Sequence, residues 1–373
     1  MGNQTDKITQ LQIYMLFTLY LFTTILGFRM STLVAEARFS AWVSLLCGSL
    51  IGLIITYLCF RLAVKRPQEF FGFYGKRIVG SWLHYPLVLI IIFSTLFSAS
   101  YILREIQDFI VEVYLPETPE WAVALVFGIC IAYAVRSGVQ TIFRCAQGIF
   151  FFSILSIIIV PLFVSSEMKW DMFPALFNHF DAPGIWNGTY LTTALYGEMG
   201  FIIFLFPYFA NGQRTMRSIS WATITSLIII FSSLIPVLFI FGPYVSGNLN
   251  YPELELIRFI RAGAFLENLD PVLLAVWLTS VFIKISMLTY IAVILLTHTF
   301  SLADHKPFSF SVTAVMIGQA LFMVRSHTEL SYILLHGGSS FLLFAQAIPI
   351  FYLLVDALRT RLGTKYEKLS QKN

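Results

Sequence analysis

Charge is what this chain has least of: Asp, Glu, Lys and Arg make up 12% of its 373 residues, against 58% hydrophobic residues and a mean hydropathy of +0.79. That balance excludes a soluble globule of this length and defines a polytopic membrane protein. The four cysteines, Cys47, Cys59, Cys130 and Cys145, show no metal-ligand spacing and fall within or at the ends of apolar runs, so they read as small buried residues. Six histidines are scattered, and there is no glycine-rich phosphate loop, nucleophile elbow or His-Glu-x-x-His sequence. Nothing argues for an enzyme, a cofactor or a metal. The net charge of +4 does not argue for nucleic acid either, because the basic residues sit where membrane topology would put them.

What the chain has is apolar runs of span length. A crossing needs about 20 residues, and ten segments qualify, two of them interrupted. They lie near 10–35, 41–60, 79–103, 121–135, 142–164, 189–210, 219–241, 271–296, 307–324 and 330–358. No cleavable signal peptide is expected, because Met1 to Gln10 carries one lysine and the apolar run after it is span-length. Myristoylation is not expected, since Asp6 stands where Ser or Thr is wanted. Pro67 to Tyr74 reads as a short interfacial helix, and Pro252 to Phe265 as another, ending at Gly263. Asp270-Pro271 reads as a cap and first turn.

Lys7, the cluster Arg61, Lys65, Arg66, Lys76 and Arg77, and the basic tail 359–373 fall on one side, which selects cytoplasmic termini. Arg29 and the acidic run Glu105 to Glu120 then belong outside.

Leu195-Tyr196-Gly197-Glu198-Met199-Gly200 organises the rest. A carboxylate inside an apolar run costs at least ~2.5 to 3.5 kcal/mol, and each glycine weakens a helix by roughly 1 kcal/mol relative to Ala. An acid flanked by glycines therefore reads as an unwound segment, the plainer alternative being a kinked, continuous helix packed closely at its glycines. Thr23-Thr24-Ile25-Leu26-Gly27-Phe28-Arg29 suggests a similar break in the first span. Breaks in the first and sixth of ten spans sit at equivalent places in two five-span halves of opposite orientation, about 10–164 and 187–358. The expected fold is all-α and leucine-transporter-like, a 5+5 inverted repeat forming one transmembrane domain.

Glu198 and Lys284 read as the only strongly ionisable residues near mid-span, and either a structural pair or a titrating, ion-replacing pair accounts for them. Backbone freed near Thr24 to Gly27 and Gly197 to Gly200 would hold a zwitterionic amino acid, with Tyr101, Thr289 and Phe344 as candidate walls at similar depth. Ordinary packing is the alternative for each. His336-Gly337-Gly338-Ser339-Ser340 in the tenth span would hydrate a passage or pack against a neighbour.

Tyr251-Pro252-Glu253-Leu254-Glu255-Leu256-Ile257-Arg258, followed by Gly263, Phe265-Leu266-Glu267, Leu269-Asp270, Trp277 and Val281-Phe282-Ile283-Lys284-Ile285, resembles the spore germination permease family. Ile8-Thr9, Gln12, Gly27, the sixth-span Gly-Glu with Phe206-Pro207-Tyr208, and Asp356-Ala357-Leu358-Arg359 also look like that family, whose likeness covers essentially the whole chain. These are B subunits of nutrient germinant receptors, related to the amino acid, polyamine and organocation transporters. The resemblance implies a transporter-like sensor in the spore inner membrane. It would bind a small-molecule germinant, typically an amino acid or sometimes a sugar, and act with an A subunit and a lipoprotein C subunit. A proton-coupled amino acid permease is the second reading, and a purely structural membrane partner the third.

Overall fold

A computed structural model describes residues 7–258 and 270–370, with side chains except those of 270–273, 327–328 and 361–370. The expected helix end at Gly263 lies outside these described residues, and a helix opens at Asp270 as expected, although nothing is described of its side chain. Helices are Gln10–Thr24 (α1), Met30–Ala37 (α2), Ala41–Val64 (α3), Phe71–Val79 (α4), Ser81–Val113 (α5), Glu120–Ser137 (α6), Val139–Val164 (α7) and Ala175–Asn178 (α8). Then follow Ala182–Gly197 (α9), Ile202–Leu205 (α10), Thr215–Asn248 (α11), Pro252–Arg258 (α12), Asp270–Thr299 (α13), Lys306–Phe322 (α14), His327–Ile333 (α15) and Ser339–Ser370 (α16).

Local chemistry sets the boundaries. Thr9 and Gln12 close a capping box at the start of α1, satisfying amide donors that the first turn leaves orphaned. Asp181 accepts from the Gly184 amide at the start of α9, where Pro183 needs no donor partner. Gly80 (φ 85°) and Gly138 (φ 94°) stand at the α4/α5 and α6/α7 junctions in a region that penalises a Cβ, so each chain reversal is made by a single residue. The short interfacial helix expected at 67–74 forms at Phe71–Val79, with Lys76 and Arg77 in its last turn.

Among the described residues, eight stretches are long and apolar enough to cross a membrane. One of them, Gln10–Val64, has 55 residues. At 1.5 Å per residue this is roughly 80 Å of helix, far more than a ~30 Å hydrocarbon core, and Arg38 (φ 47°) breaks its direction between α2 and α3. The segment expected as the ninth span is α14, 17 residues long.

The stretches differ in burial. Those containing α9 and α13 are almost wholly enclosed, while that containing α7 turns Phe151, Phe152, Leu155 and Leu162 outward. An apolar outer face of this kind suits lipid rather than water. Helix α9 packs on α3, α13 on α5, and α1 on α11. The broken first and sixth segments thus lie inside the bundle with α5 and α13. Three cysteines depart from expectation: Cys47, Cys130 and Cys145 are exposed, and only Cys59 is buried. A cysteine tolerates a hydrocarbon surroundings as readily as a core, so its occurrence in a span does not tell which way it faces.

Candidate functional site

Both breaks are present, and both remain wound. Ile25–Arg29 forms a π-turn between α1 and α2, and Glu198–Phe201 forms a 3-10 turn between α9 and α10. The expectation of fully unwound backbone is therefore corrected: helical dihedrals run through Gly197, Glu198 and Phe201, and the strain is absorbed by a change of pitch. Beyond the sixth-segment break the backbone becomes extended at Phe209, where the Ile8 amide donates to Tyr208 O (3.0 Å) and the Ala210 amide to Ile8 O (2.9 Å). Single π-turns inside helices mark functional positions, because the wider turn frees a carbonyl. Here Trp277 Nε1 donates to Thr23 O (3.2 Å), and its indole occupies the space a Cβ of Gly27 would need.

Glu198 is the centre of the site. Its Oε2 accepts from Tyr20 of α1 (3.0 Å) and lies 3.1 Å from Lys284 Nζ of α13. Its Oε1 accepts from Ser98 of α5 (3.0 Å). The Lys284 ammonium also stands 4.2 Å from the centroid of the Tyr20 ring. Neither charge is more than 1% exposed, so each depends on the other: removing one partner of such a pair costs about 3 to 5 kcal/mol. Four elements contribute one group each, which ties the sixth-segment break to α1, α5 and α13 through one polar network.

A second pair lies close by. Arg29, the last residue of the π-turn, binds Glu105 of α5, and both are buried. Both stand inside the bundle, so Glu198 and Lys284, read from the sequence as the only strongly ionisable residues near mid-span, are not its only buried charges. The sequence ended this span near Leu103, whereas α5 runs on to Val113 and keeps buried residues as far as Phe109. Arg104 is buried too, bound to Asp108 (2.8 Å) and Glu120 (2.7 Å). The Tyr101 ring lies under the Arg29 guanidinium (5.5 Å) and within electrostatic range of Glu198, linking the two pairs.

Among the residues expected at the site, Glu198, Lys284, Tyr101 and Gly27 fall in or beside this centre. Thr24 is buried one turn beyond Tyr20, and its hydroxyl has no partner among the described residues. Thr289 is buried on α13 and donates to Ile285 O (2.9 Å) and Met316 Sδ (3.2 Å). The missing Cβ atoms of Gly197 and Gly200 admit Gln346 of α16 and Cys59 of α3. Phe344 is a correction: it is 56% exposed and walls nothing here, because α16 presents that side outward.

Sequence reasoning missed Tyr20, Ser98, Trp277 and the Arg29–Glu105 pair. The signal for part of it was present: Ser98, Tyr101 and Glu105 recur at i, i+3 and i+7 and share one face of α5.

Wound-but-broken helices around a midpoint charge centre belong to a helical membrane protein of transporter architecture. The solved structure of MhsT in complex with L-phenylalanine matches at a TM-score of 0.72 and 15% identity, covering 93% of this chain and 89% of that one. Mhp1, a nucleobase-cation-symport-1 family transporter, matches at 0.52 and 12%, covering 97% and 96%. These likenesses establish the leucine-transporter fold. The family model described as spore germination protein matches residues 7–329, so the chain belongs to that family. Spore germination protein XB of Bacillus anthracis is 26% identical over 252 residues, 67% of this chain and 70% of that protein.

Proposed function

We propose that the chain is the B subunit of a nutrient germinant receptor. It binds an amino acid-type germinant between the two broken helices and passes a change of helix arrangement to an A subunit and a lipoprotein C subunit. One observation carries this reading: Glu198 of the sixth-segment break is held at once by α1, α5 and α13 through Tyr20, Ser98 and Lys284. A ligand that competes for any of these contacts shifts helices relative to one another, and differential affinity for two arrangements is all that a sensor requires. Thr24, Gly27, Tyr101, Gly197, Gly200 and Thr289 complete the proposed ligand region. The protein works by binding, with no chemical step.

The same proposal holds that Gln10–Val64 crosses twice and α14 once, giving ten crossings in a 5+5 inverted repeat, about 10–164 and 187–358, with a basic tail from 359. Both termini face the cytoplasm across the spore inner membrane. Spores carrying Lys284→Arg or Glu198→Gln test the site against single amino acids and sugars, with chain levels followed by immunoblot. Loss of response to one nutrient class at normal level supports the reading, and unchanged responses in both variants overturn it.

The second reading, a proton-coupled amino acid permease, is favoured by the transporter fold itself. Labelled amino acid uptake into proteoliposomes holding this chain alone separates the two: uptake supports the permease, and binding without uptake the sensor.

A further inference from the structure

A cavity of about 70 Å³ lies apart from the Glu198 centre, walled by α1 and its π-turn, α5, α7, α12 and α13. At ~10 to 15 Å³ per water, it has room for about five waters or a ligand of similar bulk. Its walls are mostly aromatic and aliphatic. Phe109 lies edge-on to Trp277 (centroids 5.3 Å apart) and to Tyr251 (4.8 Å), and Phe22 and Gly27 close the side toward the break.

One charged group enters this apolar space. Helix α12 folds back along α11 after the turn at Gly242 (φ 76°), and this brings Glu253 to Ser233, whose hydroxyl donates to Glu253 Oε1 (2.8 Å). Oε2 is enclosed and has no partner among the described residues, although the rest of the residue is partly open. No lysine or arginine lines the cavity among the described residues. A buried carboxylate oxygen without a donor is costly, and an ammonium group supplies both the donor and the opposite charge. Aromatic faces favour the same charge, since a cation is drawn to the ring quadrupole.

We propose that this cavity is a second ligand site, which takes a small primary alkylammonium ion that carries no carboxylate. Its N–H donates to Glu253 Oε2, and its hydrocarbon packs against Phe22, Phe109 and Trp277. A zwitterionic amino acid does not suit the site, because its carboxylate would be buried without a cation. The cavity is therefore distinct in ligand class from the proposed germinant region. Since Gly27 belongs to the π-turn and Trp277 caps the carbonyl there, an occupant bears on the first-segment break.

The test is isothermal titration calorimetry on the purified full chain in lipid nanodiscs, with three probes. Isobutylammonium is the cation, isobutanol its neutral counterpart, and valine the same cation with a carboxylate added. The expected result is saturable millimolar binding of isobutylammonium, at least tenfold weaker binding of the other two, and at least tenfold loss in Glu253→Gln. Glu255→Gln, which alters the partly exposed carboxylate bound to Arg258 on the same helix, retains binding. If Glu253→Gln does not fold, Ser156→Leu, which fills the cavity from α7, decides instead. Equal binding of valine or isobutanol, or full retention in Glu253→Gln or in a folded Ser156→Leu, overturns the proposal. None of these outcomes bears on the Glu198 centre, whose failure would appear in germination.

Discussion

Replacing Lys284 by Met leaves Glu198 in a site where it is about 1% exposed, with only the Tyr20 and Ser98 hydroxyls as donors. Two neutral hydrogen bonds offset part of the desolvation of a full charge, and the expected cost is about 3 to 5 kcal/mol. Glu198→Gln alone strands the ammonium over the Tyr20 ring and costs a similar amount. The double variant Glu198→Gln, Lys284→Met leaves no charge at this position; the amide oxygen accepts from one of the Tyr20 and Ser98 hydroxyls, and the amide NH2 donates to the oxygen of the other. Its expected stability lies within about 1 kcal/mol of the parent, because replacing a whole buried pair is close to neutral. Unfolding of the purified chain in detergent, followed by tryptophan fluorescence, therefore gives two depressed midpoints for the single variants and a near-normal one for the double. A double variant whose loss equals the sum of the two single losses refutes the reasoning, since residues in contact cannot then be coupled. The same variants also separate structure from function. A stable double variant that no longer germinates shows that the charges serve the response, and one that germinates normally shows that they serve the fold alone.

Three further expectations follow from single positions. Gly27→Ala places a methyl group inside the Trp277 indole and should cost about 1 to 3 kcal/mol by overpacking, and Trp277→Phe should recover much of the lost melting temperature. Burial pushes the Glu253 carboxyl up from 4.5 to about 7, so folding favours the protonated form. Stability is then full below the unfolded value, falls as pH rises from about 4.5 to 7, and levels off about 3 kcal/mol lower. Glu253→Gln should remove that slope when melting is compared at pH 5 and pH 8, and an unchanged slope would place the titration elsewhere. Phe344→Ala, on an outward face, should change stability by less than about 0.5 kcal/mol and leave germination intact; a lost response would return that residue to the ligand region.

The breaks and the central charges were legible in the sequence because each violates a local expectation: glycines weaken helices, and lone charges in apolar runs need a reason. Their partners were not. Tyr20 and Ser98 look ordinary in a span, and only the crossing of α1 and α5 beside Glu198 gives them a role. The Arg29–Glu105 pair was not legible for a different reason. Glu105 stands just past the expected end of its span, where one-dimensional hydropathy reads the end of an apolar run as the edge of the membrane, while nothing in the sequence names the partner of Arg29 in the first-span break. Helix α5 extends to 33 residues, and Arg104 and Glu105, just beyond Leu103, are buried in the bundle while Glu112 near its end is exposed. Phe344 failed because depth along a helix is readable from sequence and the facing is not: α16 turns Gln346 toward Ala194 (2.7 Å) and Phe344 away.

The state of the central site bears on how a ligand could act there. Glu198 is satisfied by Tyr20, Ser98 and Lys284, so an entering ligand gains little by binding to it directly. The Thr24 and Tyr101 hydroxyls are different: both are buried, neither has a partner among the described residues, and the Tyr101 ring lies against the π-turn charge Arg29. An unpaired buried hydroxyl costs about 1 to 3 kcal/mol, which a ligand would recover by supplying the missing partner. Two such groups amount to roughly 2 to 6 kcal/mol of differential affinity, and a shift from 1:99 to 99:1 between two arrangements needs about 5.5 kcal/mol. Ligand pairing with these hydroxyls is thus of the right size to supply the differential affinity that a shift of the Glu198 contacts needs. Thr24→Val with Tyr101→Phe removes both hydroxyls while keeping shape. The expected result is a chain at least as stable as the parent that no longer responds to its nutrient, and a normal response would show that the switch is driven through the charges instead.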